Sequence, residues 1–130
     1  MRRITFLTGL LATTVFAAFG VKAATQQLWD KPVFDAALAA NKPILVAVHA
    51  PWCPICAKQR PILDELARDP AFKDMIMMTV DFDSQKPIVV AFGVQKQSTL
   101  IVIRGGQEVA RSTGETDAGR IRALLARVIG

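Results

Sequence analysis

The stretch APWCPICAKQRPILDEL, residues 50–66, contains both cysteines of the chain, Cys53 and Cys56. Two thiols at this spacing can form a redox couple, half of a metal site, or an inert disulfide, and their neighbours help to separate these uses. Pro54 suits the first turn of a helix, which puts Cys53 at the capping position. Free N–H groups and the positive dipole end of a helix start favour a thiolate, the attacking species in disulfide exchange. Cys56, three residues on, shares that face at a separation a disulfide bridges without large movement. Cys53 can therefore attack a partner disulfide, and Cys56 can resolve the mixed intermediate. Trp52 would shield one side of the site, while Pro54 and Ile55 tune it from between the sulfurs.

Trp and Pro at a strand-to-helix junction favour exposure of the first sulfur, which argues against an inert disulfide. A bridge closing so short a loop would also restrict the unfolded chain very little. A closed structural zinc site needs four ligands, and beyond Cys53 and Cys56 the chain offers one histidine, His49. A metal would therefore be held by pooling cysteines across a dimer. Redox exchange is the favoured reading, with a shared metal or a structural disulfide as alternatives.

Elements on both sides must hold this turn in place. Thr25 to Trp29 reads as a polar lead-in. Asp30 followed by Pro32 signals a helix start, and VFDAALAA continues at helical spacing until Asn41 and Pro43. PILVAVHA, residues 43–50, is an apolar, β-branched run suited to a central buried strand. A helix from Cys53 to about Arg68 follows, with Ile62, Leu63 and Leu66 at core spacing and Pro61 placed to kink it. A short helix restarts at Asp69, and MIMMTVDF, residues 75–82, reads as a second buried strand whose methionines are core packing. Lys86 to Phe92 is helical, ending at Gly93. TLIVIRGGQEVARST gives two strands around Gly105 and Gly106, a hairpin signal. From Thr116 a last amphipathic helix buries Ile121, Leu124, Leu125 and Val128. Helix-linked strands followed by a hairpin imply an α/β fold, a mixed sheet with helices on both faces.

The N-terminus reads differently. Arg2 and Arg3 precede an uncharged apolar run of about 17 residues, near the lower limit for spanning a bilayer. Val21-Lys22-Ala23 then supplies small residues for a cleavage site. Residues 1–23 are thus expected to be a secretory signal peptide of the general export route, with an uncleaved membrane anchor as the alternative. Residues 24–130 form one domain, since roughly 107 residues support one core and not two. The formal charge of +5 falls to about +2 once Arg2, Arg3 and Lys22 are removed. No cluster of Lys and Arg is interleaved with the two Trp and seven Phe, so nucleic-acid binding is excluded as a reading. Membrane contact is expected only if the leader stays attached. Export, to the periplasm or beyond, places the cysteines in an oxidising compartment.

From Phe34 to Val128 the chain resembles the thioredoxin family. KPILVAVHAPWCPICAKQRPILDEL is similar to that family's strand, W-C-x-x-C motif and proline-bearing helix. VDFD, AFGV, TLIVIRGGQEV and STGE resemble its later landmarks in order. The resemblance implies a four- or five-stranded sheet flanked by helices and a thiol–disulfide oxidoreductase. Cys53 would be the nucleophile and Cys56 the resolving thiol, with no cofactor beyond the redox-active pair. Disulfides or thiols of exported proteins, and an upstream redox partner, would be its reactants.

Three departures stand out. The family's buried Asp, six residues before the first Cys, is Ala47 here, and a lysine that often partners it is Thr79. Its cis-proline is Ser98, preceded by Gln97, where a cis bond would cost about 2.5–4 kcal/mol; a trans bond and a reshaped loop are expected. That loop normally crowds out metals, so its change is what keeps a thiolate-bound metal or cluster in view. A redox-silent interaction domain is a further alternative. His49 shares the side of Ala47 by strand alternation. Its favoured reading is a half-buried strand histidine bonded to the backbone. Proton transfer in place of the missing carboxylate and metal ligation are its alternatives. For Ser98, filling the loop is favoured over a hydrogen bond to the Cys53 thiolate. Lys58 and Arg60 read as a solvated face.

Overall fold

A computed structural model of the chain describes residues 23–130. The expected leader, residues 1–23, lies outside these but for Ala23. Five strands alternate with helices: β1 (Thr25–Leu28), α1 (Lys31–Ala39), β2 (Ile44–His49), α2 (Pro54–Arg68), a 3-10 turn (Pro70–Phe72), β3 (Ile76–Asp81), α3 (Lys86–Ala91), β4 (Thr99–Arg104), β5 (Gln107–Thr113) and α4 (Ala118–Ala126). They form one sheet in the order β1-β3-β2-β4-β5. The first three strands in that order run parallel, while β4 and β5 are antiparallel. This is the expected mixed sheet, with five strands.

The middle strands are nearly continuous runs of apolar residues because both of their faces are covered. Leu45, Leu100 and Val102 pack with Leu66, Phe72, Ile121 and Leu125, under α2 and α4. Ile44, Val46, Val48, Ile101 and Ile103 pack with Ala37, Met78 and Val89, on the α1 and α3 side. Met75, Met77 and Met78 are all buried, as core methionines. The Gly105–Gly106 hairpin forms, with both glycines at positive φ (61° and 74°), the region a two-residue turn between twisted strands requires.

Two expectations need correction. Residues Thr25–Leu28 are a strand, not a lead-in. They pair parallel with β3 from Thr25↔Ile76 to Leu28↔Thr79, and their polar composition follows from an edge position that leaves them mostly exposed. No periodicity within TQQL could show that, because the pairing comes from β3. The last helix starts at Ala118, not Thr116, since the Asp117 carboxylate accepts the Arg120 N–H at 2.8 Å and caps it there. Helix α2 runs to Arg68 with Pro61 inside it, as expected; that proline has no N–H to give the Ala57 carbonyl.

Candidate active site

Strand β2 ends at His49, and the chain turns through Ala50, Pro51 and Trp52 into α2. The Cys53 N–H closes this turn on the Ala50 carbonyl at 3.1 Å. Cys53 is the N-cap of α2, with extended backbone angles (φ −82°, ψ 115°) and Pro54 directly after it. Its Sγ accepts the Cys56 backbone N–H at 3.2 Å. A sulfur thus occupies the place where a serine or aspartate oxygen would satisfy an orphan helix donor. Both cysteines are free thiols.

Contrary to the exposure expected of the first sulfur, Cys53 and Cys56 are each only 2 % exposed, packed with Ala50 and Phe82. What is exposed is the rim: Trp52 at 59 % and Ile55 at 39 %. The Trp52 indole is held by donating to the Asp83 carboxylate at 2.6 Å.

The two sulfurs are pushed in opposite directions. Burial works against the Cys53 thiolate. Hydrogen bonds from the Cys56 thiol and N–H, the Ile55 N–H and the Gln97 side chain outweigh it, and the Cys53 thiol falls below its ordinary value. Burial raises Cys56, and its hydrogen bond and proximity to Cys53 raise it further, to about 11, against backbone hydrogen bonding from Ala50 and Ser98. One thiol is ready to ionise, and its neighbour is held protonated.

The Gln97–Ser98 loop faces this pair. Its peptide bond is trans, as expected, and Ser98 sits at φ 58°, one of two non-glycine residues at positive φ among those described. Three hydrogen bonds to its N–H and carbonyl hold it there. Ser98 N–H donates to the Val48 carbonyl at 2.8 Å, and the Ser98 carbonyl accepts the Gly114 N–H at 3.1 Å. The buried Gln59 amide donates to the carbonyls of Ser98 (3.2 Å) and Glu115 (2.9 Å). The Ser98 hydroxyl donates to the Gln97 carbonyl at 2.5 Å, so it serves the loop and not the thiolate. Sequence reasoning missed Gln59 and the side chain of Gln97. The one available signal was Gln59's place, one turn beyond Cys56 on the same helical face.

Beneath Cys56 lies a cavity of about 380 Å³, open to solvent, whose lining includes Ala47, His49, Cys56, Gln59, Arg60 and Thr79. The β2–β3 register explains its floor, because Ala47 lies beside Thr79 and His49 beside Asp81. The His49 imidazole makes no protein hydrogen bond among the described residues, unlike the backbone-bonded ring expected. Burial and the Arg60 charge lower its pKa, against the opposing effect of Asp81. Lys58 stays on the exposed side of α2, whereas Arg60 reaches the cavity rim. Among the described residues no three His, Cys, Asp or Glu side chains converge as a metal site would require.

The thioredoxin family model matches residues 23–127. The chain belongs to the thioredoxin family. The thioredoxin of Mycobacterium tuberculosis is 32 % identical over 108 residues, covering 83 % of this chain and 92 % of that protein. The chloroplastic M-type thioredoxin of Zea mays is 29 % identical over 110 residues, 85 % of this chain; this chain spans 63 % of the maize protein. The crystal structure of Trxlp from Edwardsiella tarda superposes with a TM-score of 0.76 at 40 % identity, covering 78 % of this chain and 98 % of that one. Membership makes the protein a thiol–disulfide oxidoreductase that works through its cysteine pair. Its sheet and helices are those of the thioredoxin fold, with a cavity lined in part by Ala47 and Thr79.

Proposed function

We propose that the protein is an exported oxidoreductase that exchanges disulfides with exported protein partners, Cys53 acting as nucleophile and Cys56 as resolving thiol. The observation that carries the assignment of roles is the placement of Cys53 Sγ as acceptor at the start of α2, opposite a Cys56 held protonated. In the reductive direction, the Cys53 thiolate attacks one sulfur of a partner disulfide. A Cys53–partner bond forms, the partner's S–S bond breaks, and one partner thiolate leaves. Cys56 then loses its proton and attacks Cys53 Sγ, releasing the second partner thiolate. The partner gains two electrons and the pair becomes a disulfide. An upstream dithiol donor restores it, and the same steps reversed would oxidise a partner.

Trp52 and Ile55, exposed around the covered sulfurs, give a partner polypeptide an apolar rim to dock against. Export rests on the basic start, the uncharged apolar run and the Val21-Lys22-Ala23 cleavage pattern.

With insulin as the disulfide and dithiothreitol as the donor, Cys53→Ser is expected to abolish reduction. Cys56→Ser should stop turnover while accumulating a covalent adduct on Cys53. Adducts on Cys56 in place of Cys53 would overturn the roles. N-terminal sequencing of the mature protein from a periplasmic extract tests export, with Ala24 as the expected first residue.

A further inference from the structure

Resolution of the mixed disulfide requires Cys56 to lose a proton, yet the fold keeps that thiol protonated and 2 % exposed. The proton has to go somewhere, and the cavity beneath Cys56 joins this sulfur to solvent. It is roomy enough for several water molecules, each of which needs only about 30 Å³ in the liquid.

The groups around it differ in what they can accept. Arg60 is permanently protonated. Asp64, also on the lining, is a carboxylate, ordinarily a weaker base than imidazole, and its Oδ1 already accepts the Gln26 amide at 2.9 Å. Asp81, beside His49 in the sheet register, spends its Oδ1 on the Asp83 N–H (3.0 Å), the Ser84 N–H (2.7 Å) and the Ser84 hydroxyl (2.9 Å). His49 is different. Its imidazole lines the same cavity as Cys56 and is engaged by no protein hydrogen bond among the described residues. Burial and Arg60 keep it neutral near pH 7, while the Asp81 carboxylate stands by to stabilise the charged form.

We propose that His49 is the proton acceptor for Cys56 during resolution, across the cavity that the two residues share. This deepens the functional reading above and rests on Cys56 as the resolving thiol. As Cys56 Sγ bonds to Cys53 Sγ, its proton passes through water in the cavity to the imidazole, and the partner leaves as a thiolate. The imidazolium then returns its proton to solvent through the open mouth. Transfer accompanies S–S bond formation and does not precede it, because a free Cys56 thiolate is far more basic than imidazole.

Stopped-flow mixing of the reduced protein with excess Ellman's reagent separates the two steps. A first release of thionitrobenzoate depends on reagent concentration and reports Cys53. A second, concentration-independent release reports Cys56. In the wild type the second rate should hold level near neutral pH and fall as pH drops through the His49 pKa, below 6.5. Loss of a positioned base typically costs 10²- to 10⁴-fold, and water in the cavity replaces part of it, so His49→Gln should slow this phase by roughly 10- to 100-fold at pH 7. Its rate should then climb about tenfold per pH unit until Cys56 ionises unaided. That happens at a pH below the value of about 11 that the Cys53 thiolate helps to set in the reduced pair, because the mixed disulfide leaves no charge on Cys53.

The first phase should change little, and a far-UV circular dichroism spectrum matching the wild type shows that the variant is folded. Imidazole added to His49→Ala should restore the second phase, and Arg60→Gln should move the wild-type fall to higher pH. A second phase in His49→Gln with the wild-type rate and pH profile, or no rescue by imidazole, would overturn the proposal. A wild type with a first phase and no second would instead overturn the Cys56 assignment on which it rests.

Discussion

Cys53 and Cys56 are the same side chain, one helical turn apart and equally covered, yet their surroundings have little in common. Around Cys53 the space is full of donors: the Cys56 thiol and N–H, the Ile55 N–H and the Gln97 side chain. Beneath Cys56 is a cavity floored by Ala47 and Thr79. Burial opposes charge at both sulfurs, but only at Cys53 do hydrogen bonds outweigh it. At equal surface exposure, the asymmetry comes from burial that prevails at Cys56 and from hydrogen-bond geometry that prevails over it at Cys53.

The arrangement depends most on Gln59, which ties the Gln97–Ser98 loop and the Glu115 backbone to α2 through one buried amide. Gln59→Leu keeps the volume and removes both donors. The Ser98 carbonyl retains its bond from Gly114, but the Glu115 carbonyl loses the side-chain donor that reaches it. The expected cost is about 1–3 kcal/mol of stability, read as a lower urea midpoint with an unchanged slope. The same variant should raise the Cys53 pKa as Gln97 loosens. A fully stable Gln59→Leu would show that the loop holds itself and that Gln59 is only packed against it.

The second way to sharpen the comparison is chemical. Cys53 ionises below the ordinary thiol value and Cys56 at about 11, a gap of about two pH units or more. Near pH 7 this gives Cys53 roughly a 100-fold larger thiolate fraction. The more basic Cys56 thiolate is the better nucleophile, which returns somewhat less than tenfold. Iodoacetamide should therefore alkylate Cys53 at least about 10-fold faster, as peptide mapping of singly modified protein would measure. A Cys56 pKa raised by folding also means that its contribution to the stability of the reduced protein is present below the unfolded thiol value. That contribution is lost as pH rises through about 11, and the disulfide form should lack this loss. Equal alkylation of the two thiols would erase the distinction.

The parts of this arrangement differed in how plainly the sequence showed them. The turn itself was legible, because Pro54 after Cys53 and the apolar runs on either side are local signals for a helix start between buried elements. The central strands were legible for the same reason, as runs that only a doubly covered sheet can use. Strand β1 was not, since TQQL becomes a strand through the β3 backbone beside it. The candidate site divided likewise. The residue types at 47, 79 and 98 pointed to altered support around the pair. That Ala47 and Thr79 leave one cavity joining Cys56 to His49 depends on the parallel register of two strands roughly thirty residues apart. Gln59 and Gln97 were missed because a glutamine's partners are chosen by the fold.

The mildest test concerns Ser98. At φ 58° a side chain with a Cβ costs about 1–2 kcal/mol relative to the right-handed region, a cost that glycine does not carry. Strain of this size next to reactive sulfurs persists only where surrounding bonds over-determine the backbone, and three hydrogen bonds to the Ser98 N–H and carbonyl do so here. Ser98→Gly relieves the strain, but it adds freedom to the unfolded chain worth about 0.5–1 kcal/mol and loses the hydroxyl bond to the Gln97 carbonyl. The net change should stay within about 1 kcal/mol of wild type, with Cys53 still the faster-alkylated thiol. Ser98→Val keeps the strain, loses the hydroxyl and is β-branched, so it should fall about 1–2 kcal/mol below Ser98→Gly by urea denaturation. If the two variants were equally stable, the left-handed backbone at Ser98 would not be under strain. The loop would then be placed against Cys53 by its hydrogen bonds alone.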